Sequence, residues 1–439
     1  MVLVILLFFC YTINSGGSMK KLLFIFFIIL LGIFSYFFFT YKNLKYYEEI
    51  LNEVDILEFD INNYSIFGTH LNIDGCINKK LDNPTLVLKN KNEEITLKSI
   101  FYEENETTCF YISENNNDSI YLDNLKKGNY LLLVKDSEIY YTLKNNTEYG
   151  NLEYYTITKN NSNNKINIDF KSYNDKNYVN FIIKESKLPE DVYDISIDPG
   201  HGGKDPGAIG MLNNKEYYES NLTLKLALLL KEKLENMGLK VHMTRSGDTN
   251  LKTYGEGGRA LLANDYKTKY SFSIHFNSDF GVMTYGGTEI YTPNDIDLTL
   301  ARIFAKNLSK IVGYSKNPNF KLENGVYYKY FRQSDIDESK SSMLEENLTP
   351  YDIKLNCPYM YMIRELGGIN TYAYIDDRND YYGINTHYNS NHTTEPYLLE
   401  LAYINYKNDL SKAVNNPNEF SSAISSAIKE YLEIITKSD

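Results

Sequence analysis

Two histidines and two glutamates, far apart along the chain, stand where an α/β protein presents its chemistry. His201 lies in Asp198-Pro199-Gly200-His201-Gly202-Gly203, directly after the apolar run Val192–Ile197. Proline and glycine fix such a turn and let a metal and a substrate approach the backbone closely. His275 follows the apolar run from Tyr270 in Ser273-Ile274-His275-Phe276-Asn277-Ser278, and Glu400 lies in Pro396-Tyr397-Leu398-Leu399-Glu400-Leu401. Glu219 opens a leucine-rich segment, within reach of the first turn. Two imidazoles and one carboxylate make a tetrahedral zinc site with one position left open, and zinc suits this mix of nitrogen and oxygen donors. Water in the open position acquires a pKa of about 7. A second carboxylate, off the metal, can take the water proton and pass it to a leaving nitrogen. Glu400 fits that second role, because burial among leucines raises a carboxyl pKa.

Each residue also has a plainer reading. A histidine at a strand end is commonly a hydrogen-bonded structural residue, and Glu219 at a helix start answers the helix dipole. Glu400 is the least easily explained that way, since a buried carboxylate without a partner is costly. The order and co-occurrence of the four residues carry the catalytic reading.

The elements that must position them alternate between strand and helix. Strands are expected over Val192–Ile197, Lys240–Thr244, Tyr270–Ile274, Gly287–Tyr291 and Tyr397–Leu401. Helices are expected over Ser220–Met237, Arg259–Asn264, Asp297–Val312 and Pro417–Ile435. This alternation predicts an α/β catalytic domain with a mostly parallel sheet flanked by helices, its site at the carboxyl ends of the strands.

Over about residues 192–437 the chain resembles the zinc-dependent N-acetylmuramoyl-L-alanine amidases of the third amidase class. The resemblance rests on Asp198–Gly203, Glu219 with Leu224-x-Leu226-Ala227, Thr244-Arg245-x-Gly247-Asp248, Arg259 with Ala263-Asn264, Ser273–His275, Gly287–Tyr291 and Pro396–Glu400. It implies Zn2+ held by His201, Glu219 and His275, with Glu400 as the catalytic acid/base. It further implies cleavage of the amide between the lactyl group of muramic acid and the first L-alanine of the stem peptide, with peptidoglycan as substrate. Two alternatives stay open: a catalytically silent wall-binding or regulatory protein on the same fold, and a zinc hydrolase of another peptidoglycan amide.

The chain departs from the family pattern after Glu400. Leu401-Ala402-Tyr403-Ile404-Asn405-Tyr406 stands where Leu-Gly-Phe-x-x-Asn is usual, and the two changes are expected to narrow the cleft. Two insertions are read at about 314–356 and 365–394, separated by Tyr361–Arg364, which resembles the penultimate strand. The first is expected to act as a lid or docking element. His387 and His392 of the second are read as solvated loop residues, and His242 as structural.

Ahead of residue 187, two further segments are expected. Residues 45–186 carry short alternating runs, among them Leu71–Ile77 and Tyr130–Val134, separated by Asn-rich turns. They read as a β-sandwich module of immunoglobulin type. Residues 1–44 hold an N-terminal extension and the apolar run Leu22–Phe39, preceded by Lys20 and Lys21. That run is long enough for a retained transmembrane helix, placing the protein in the cell membrane as a single-pass signal-anchor protein, with residues 187–439 extracellular and facing the wall. The net charge of −12, without a long basic run, argues against nucleic acid. The β-rich module and the insertions are read as docking elements for a regulatory partner. Of the four cysteines, Cys76 and Cys109 lie in one region and are candidates to pair.

Overall fold

A computed structural model describes residues 26–35 and, between 50 and 435, all but 52–54, 58, 105, 113–119, 144–150, 174–175, 253–256, 280–284, 295, 346–354 and 372–391. The C-terminal part is built on strands β1 (Ile195–Pro199), β2 (Ile209–Leu212), β3 (Lys215–Tyr218), β4 (Val241–Met243), β5 (Tyr270–Asn277), β6 (Glu289–Tyr291), β7 (Lys321–Glu323), β8 (Val326–Tyr327) and β9 (Glu395–Tyr403). Its helices are α1 (Glu219–Asn236), α2 (Leu262–Asp265), α3 (Thr299–Val312), α4 (Gln333–Glu345), α5 (Tyr361–Gly367), α6 (Lys407–Asn415) and α7 (Pro417–Ile435). Seven strands form one sheet in the order β4-β1-β5-β9-β6-β8-β7, while β2 and β3 make a separate hairpin.

The period-2 alternation of the strands divides this sheet into two faces with different tasks. Ile195 and Ile197, Phe272, Ile274 and Phe276, and Tyr397, Leu399 and Leu401 enter one core with the apolar sides of α1, α3 and α7. The intervening residues, including Asp198, Ser273, His275, Leu398 and Glu400, therefore point to the other face. There α5 packs: Met362 and Leu366 meet Ala260 and Ala263, and Ile363 meets Tyr291, Tyr327 and Leu398. One face holds the domain together and the other carries polar groups.

The sheet corrects the expected mostly parallel arrangement: it is mixed. β1 pairs in parallel with β4 and β5, as β5 does with β9 and β6 with β8. β6 runs antiparallel to β9, and β7 antiparallel to β8. Connection length explains both reversals. A parallel return needs a crossover of about a dozen residues or more, but only residues 278–288 join β5 to β6. β7 and β8 are joined by Asn324-Gly325, a tight-hairpin pair, with Gly325 at φ +78°. The first insertion is thus no detachable lid, because it supplies two strands of the sheet. Tyr361–Arg364, read as a strand, lies in α5; its apolar residues are spaced i, i+4, which suits a helix.

The β-rich region is not the expected immunoglobulin-like sandwich. It has an eight-stranded and a six-stranded sheet, against seven to nine strands in all for that fold. The six-stranded sheet also takes a strand, His392–Thr393, from the C-terminal part, paired in parallel with Phe59–Phe67. The long hairpin Asn163–Tyr173 and Lys176–Ser186 is absent from the sequence reading, because its abundant Asn and Lys obscure the alternation of Ile166, Ile168, Phe170 and Val179, Phe181, Ile183. Both sheets share one core, with Ile66, Leu71 and Ile73 from one and Leu88, Tyr130 and Leu132 from the other. Cys76 and Cys109 face each other on adjacent antiparallel strands and form a disulfide.

The membrane-anchor expectation is also corrected. No helix among the described residues is long and apolar enough to cross a membrane. Of Leu22–Phe39, residues 26–35 are helical and mostly exposed. The remainder of that run lies outside the described residues. Single-pass membrane localisation and an anchor through Leu22–Phe39 are therefore not upheld.

Candidate metal centre and catalytic cleft

The turn after β1 fixes His201. His201 itself adopts φ +59°, in the left-handed region, followed by Gly202 at +129° and Gly203 at +61°. Such a conformation costs a non-glycine residue energy and persists only where the surroundings impose it. Here two buried arginines impose it. Arg245 donates from Nε to the Pro199 carbonyl at 2.9 Å and from Nη2 to those of Gly200 and Ser220 at 2.8 Å each. Arg259 donates from Nη2 to the His201 carbonyl at 2.7 Å. Asp198 anchors the strand end below, accepting from Thr244 Oγ1 at 2.6 Å and Ser273 Oγ at 2.8 Å. Gly200 is required for space, since a Cβ there would lie 2.3 Å from Cε1 of His275.

Glu219 stands between the two imidazoles. Its Oε2 lies 3.1 Å from His201 Nε2, and its Oε1 lies 3.0 Å from His275 Nδ1. Backbone N–H groups of Ala208 and Phe276 each donate to it at 2.9 Å. Ligand atoms of His201, Glu219 and His275 all lie within 4.8 Å of one another, close enough to hold one ion. The donor set fits zinc, with two imidazole nitrogens, one carboxylate oxygen and no thiolate. The other nitrogen of His201, Nδ1, lies 2.8 Å from Asp205 Oδ2. A carboxylate on the far nitrogen of a ligating histidine fixes its tautomer and orientation. Burial alone would raise the Glu219 pKa, but hydrogen bonds and charge from His201 and His275 outweigh it and hold the carboxyl below its usual range. Burial likewise opposes protonation of His201, and Glu219 and Asp205 overcome it to raise its pKa.

Glu400 reaches the same cleft from β9, where it is the register partner of His275 on β5 and of Glu289 on β6. The cleft, of about 360 Å³, is lined by all four predicted residues together with Ala208, Leu398 and residues 360–362. Glu400 Oε2 is buried and has no hydrogen-bond partner among the described residues. Its pKa is raised well above the carboxylate range, first by burial and then by the charges of Glu219 and Glu289, with Lys329 opposing. Its neighbour Glu289, also buried, is fully engaged. It accepts from Asn277 Nδ2 at 3.0 Å, Tyr291 Oη at 2.7 Å, Ser315 Oγ at 2.6 Å and Tyr403 Oη at 2.5 Å. Tyr403 therefore does not narrow the cleft as expected; its hydroxyl is directed to Glu289.

Asp205, the arginine clamp and the role of Glu289 escape the sequence reading. A signal existed for two of them: Asp205 stands four residues after His201, and Glu289 is a charge inside an apolar strand. His242 lies apart from the cleft, bonded to Ser196 Oγ at 3.1 Å and packed on Tyr266. His392 is not a solvated loop residue, since it lies in the short strand beside Phe59–Phe67 and burial lowers its pKa to about 3. His387 lies outside the described residues.

A family model described as N-acetylmuramoyl-L-alanine amidase matches residues 195–345. That stretch contains His201, Glu219 and His275 and ends before Glu400. The chain is 29% identical over 158 residues, 35% of its own length and 65% of the relative's, to a putative N-acetylmuramoyl-L-alanine amidase of Buchnera aphidicola subsp. Schizaphis graminum. It is 35% identical over 95 residues, 19% of its length and 38% of the relative's, to the germination-specific N-acetylmuramoyl-L-alanine amidase of Bacillus subtilis. The matches thus span less than two thirds of these relatives' lengths. Among solved structures it is similar to N-acetylmuramoyl-L-alanine amidase AmiC2 of Nostoc punctiforme, at 20% identity and a TM-score of 0.36, covering 55% of this chain and 97% of that one.

Proposed function

We propose that this chain, which belongs to the zinc-dependent N-acetylmuramoyl-L-alanine amidase family, hydrolyses the peptidoglycan amide between the N-acetylmuramoyl lactyl group and L-alanine. The observation that carries the proposal is the pairing of a three-donor cluster with one unpartnered buried carboxyl oxygen in a single cleft. His201, Glu219 and His275 would hold the zinc ion. When bound, zinc supplies Lewis-acid polarisation and lowers the pKa of water. Asp205 orients His201 through Nδ1, and the arginine clamp keeps the turn in its strained conformation. Glu400 takes a proton from the attacking water at its free Oε2 and delivers it to the alanine nitrogen as the C–N bond breaks. A carboxyl whose pKa is raised by burial and by neighbouring carboxylates holds a proton more readily than an exposed one, which suits it to take the proton as base and give it up as acid. The products are a glycan bearing a free lactyl carboxylate and a stem peptide with a free amine.

Mass analysis of the fragments released from purified wall tests the reading. Free stem peptides and intact glycan are expected. Fragments cut within the peptide would assign the site to another amide, and no cleavage by the zinc-loaded full chain would leave only a binding role.

A further inference from the structure

The first insertion brings one cation to the cleft side of the sheet that the centre described above does not use. Beyond β8 the chain continues to Tyr330, which pairs with Pro358 in an antiparallel bridge. The Tyr359 N–H donates to the Lys329 carbonyl at 2.9 Å, so Lys329 and Tyr359 stand opposite each other. Lys329 follows Tyr327 by two residues and takes the same side. Tyr327 packs with Tyr291, Leu398 and Ile363, on the face that also carries Glu400. The Lys329 ammonium lies 4.0 Å over the Tyr359 ring. Tyr359 is 39% exposed and adjoins the cleft-lining Met360. Lys329 thus stands where the cleft opens beside the insertion.

The two arginines nearest to it are answered by carboxylates. Arg364 Nε lies 3.0 Å from Glu365 Oε1, and Arg332 Nε lies 3.6 Å from Asp335 Oδ2. Among the described residues, no carboxylate lies within ion-pair distance of Lys329 Nζ, and the aromatic face is its partner. An ammonium that is half-buried without a counter-ion is costly to keep. Burial pushes its pKa down, and the charges of Asp335 and Glu400 oppose the shift. Such a cation is complementary to an anionic group that arrives with the substrate.

Strand order decides which part of the substrate that is. Along β1-β5-β9-β6-β8, His201 and His275 stand on one side of Glu400, and Lys329, two residues past β8, on the other. In the proposed reaction the amide carbonyl lies at the metal donors and the leaving nitrogen lies at Glu400. The chain beyond that nitrogen is the stem peptide, and it extends toward β6 and β8. The glycan and its lactyl groups lie on the metal side.

We infer that Lys329 is a specificity-determining residue that binds a free carboxylate of the stem peptide, on the leaving-nitrogen side of the cleaved bond. The inference rests on the amidase reading for the direction of the substrate, and its first test does not require catalysis. Stem peptide with free carboxylates, the same peptide with carboxamides in their place, and peptide-free glycan are each titrated into the zinc-loaded full chain by calorimetry. Lys329→Met, which keeps an unbranched chain beside Tyr359, should bind the carboxylate peptide on the order of tenfold more weakly. Lys329→Arg should retain that affinity, and the carboxamide peptide should bind the native chain and the Met variant equally. On soluble wall fragments, Lys329→Met should raise KM and leave kcat and its pH profile unchanged, as expected for lost ground-state binding. Equal affinity of the native chain and the Met variant for the carboxylate peptide would overturn the inference. So would a loss confined to the glycan, whose lactyl carboxylates are the other source of this chemistry. A displaced pH profile with KM unchanged would overturn it too, placing Lys329 behind Glu400. Peptide binding that depends on Lys329, in a chain that cleaves no wall, would count against the amidase reading alone.

Discussion

The β-rich region and the α/β region bury polar groups to different ends. In and beside the β-rich region, buried carboxylates are answered by donors. Asp123 accepts from Tyr154 Oη and from the Ile157 N–H, and Asp194 accepts from the Thr158 and Lys240 N–H groups, with Lys269 Nζ at 3.6 Å. The α/β region contains both kinds. Glu289 has four donors, while Glu400, opposite it in register, leaves Oε2 with none among the described residues. Buried polar groups in proteins are almost always satisfied, so an exception calls for an explanation. Satisfied groups fix architecture, whereas a poised group costs stability and retains chemical capacity.

The sharpest way to break this comparison is to remove the charge of the poised group. Glu400→Gln should fold, retain zinc by metal analysis and lose on the order of 10²–10⁴-fold in kcat, the usual contribution of a general acid–base. Near-native turnover would place Glu400 among the structural carboxylates. A smaller effect is expected at the second carboxylate of the centre. Asp205→Ala should weaken zinc affinity by about 10–100-fold, as for other groups that orient a ligating histidine. Competition with a chelator reads this directly, and unchanged affinity would remove Asp205 from the centre.

A third effect, on stability and not on the centre, concerns the junction of the two regions. His70 Nδ1 lies 4.0 Å from Glu395 Oε2, and His392 pairs through its strand with Phe59–Phe67. Burial lowers both pKa values from 6.5 to about 3. Below pH 6.5 the unfolded chain takes up these protons and the folded chain does not, down to about pH 3. The stability they contribute is therefore complete above pH 6.5 and is lost as pH falls toward 3. At pH 5 each histidine should have cost about 2 kcal/mol. Thermal melting at pH 7 and pH 5 measures this, and His70→Phe should flatten the dependence. A melting temperature that does not change over that range would show that the junction is not held by neutral buried imidazoles.

The types and order of the candidate site residues, and the helices flanking the sheet, could be read in the sequence because each depends on local patterning. His201 stands after an apolar run in a proline- and glycine-rich turn, Glu400 within a leucine-rich strand, and the Pro417–Ile435 helix carries its own periodic apolar face. Strand direction was not legible, because it depends on connection length and on which edge a strand joins. The alternation near residue 163 was hidden by its asparagines, and α5 was read as a strand because four residues do not separate a period of 2 from one of 3.6.

What the sequence alone determined is chemical: which donors exist, on which kinds of element, and in what order. The tertiary structure decided which of them meet. Glu219 lies 18 residues from His201 and 56 from His275 in the chain, and only the packing of α1 on β1 and β5 sets its carboxylate between both rings. Glu289 and Glu400 are the same residue type in similar apolar strands. Their difference arises from Ser315, Tyr403 and Asn277, donors brought from three separate elements to one carboxylate and not to the other. Hydrogen bonding is short-ranged and directional, so donor placement is settled by the fold and cannot be read from residue order.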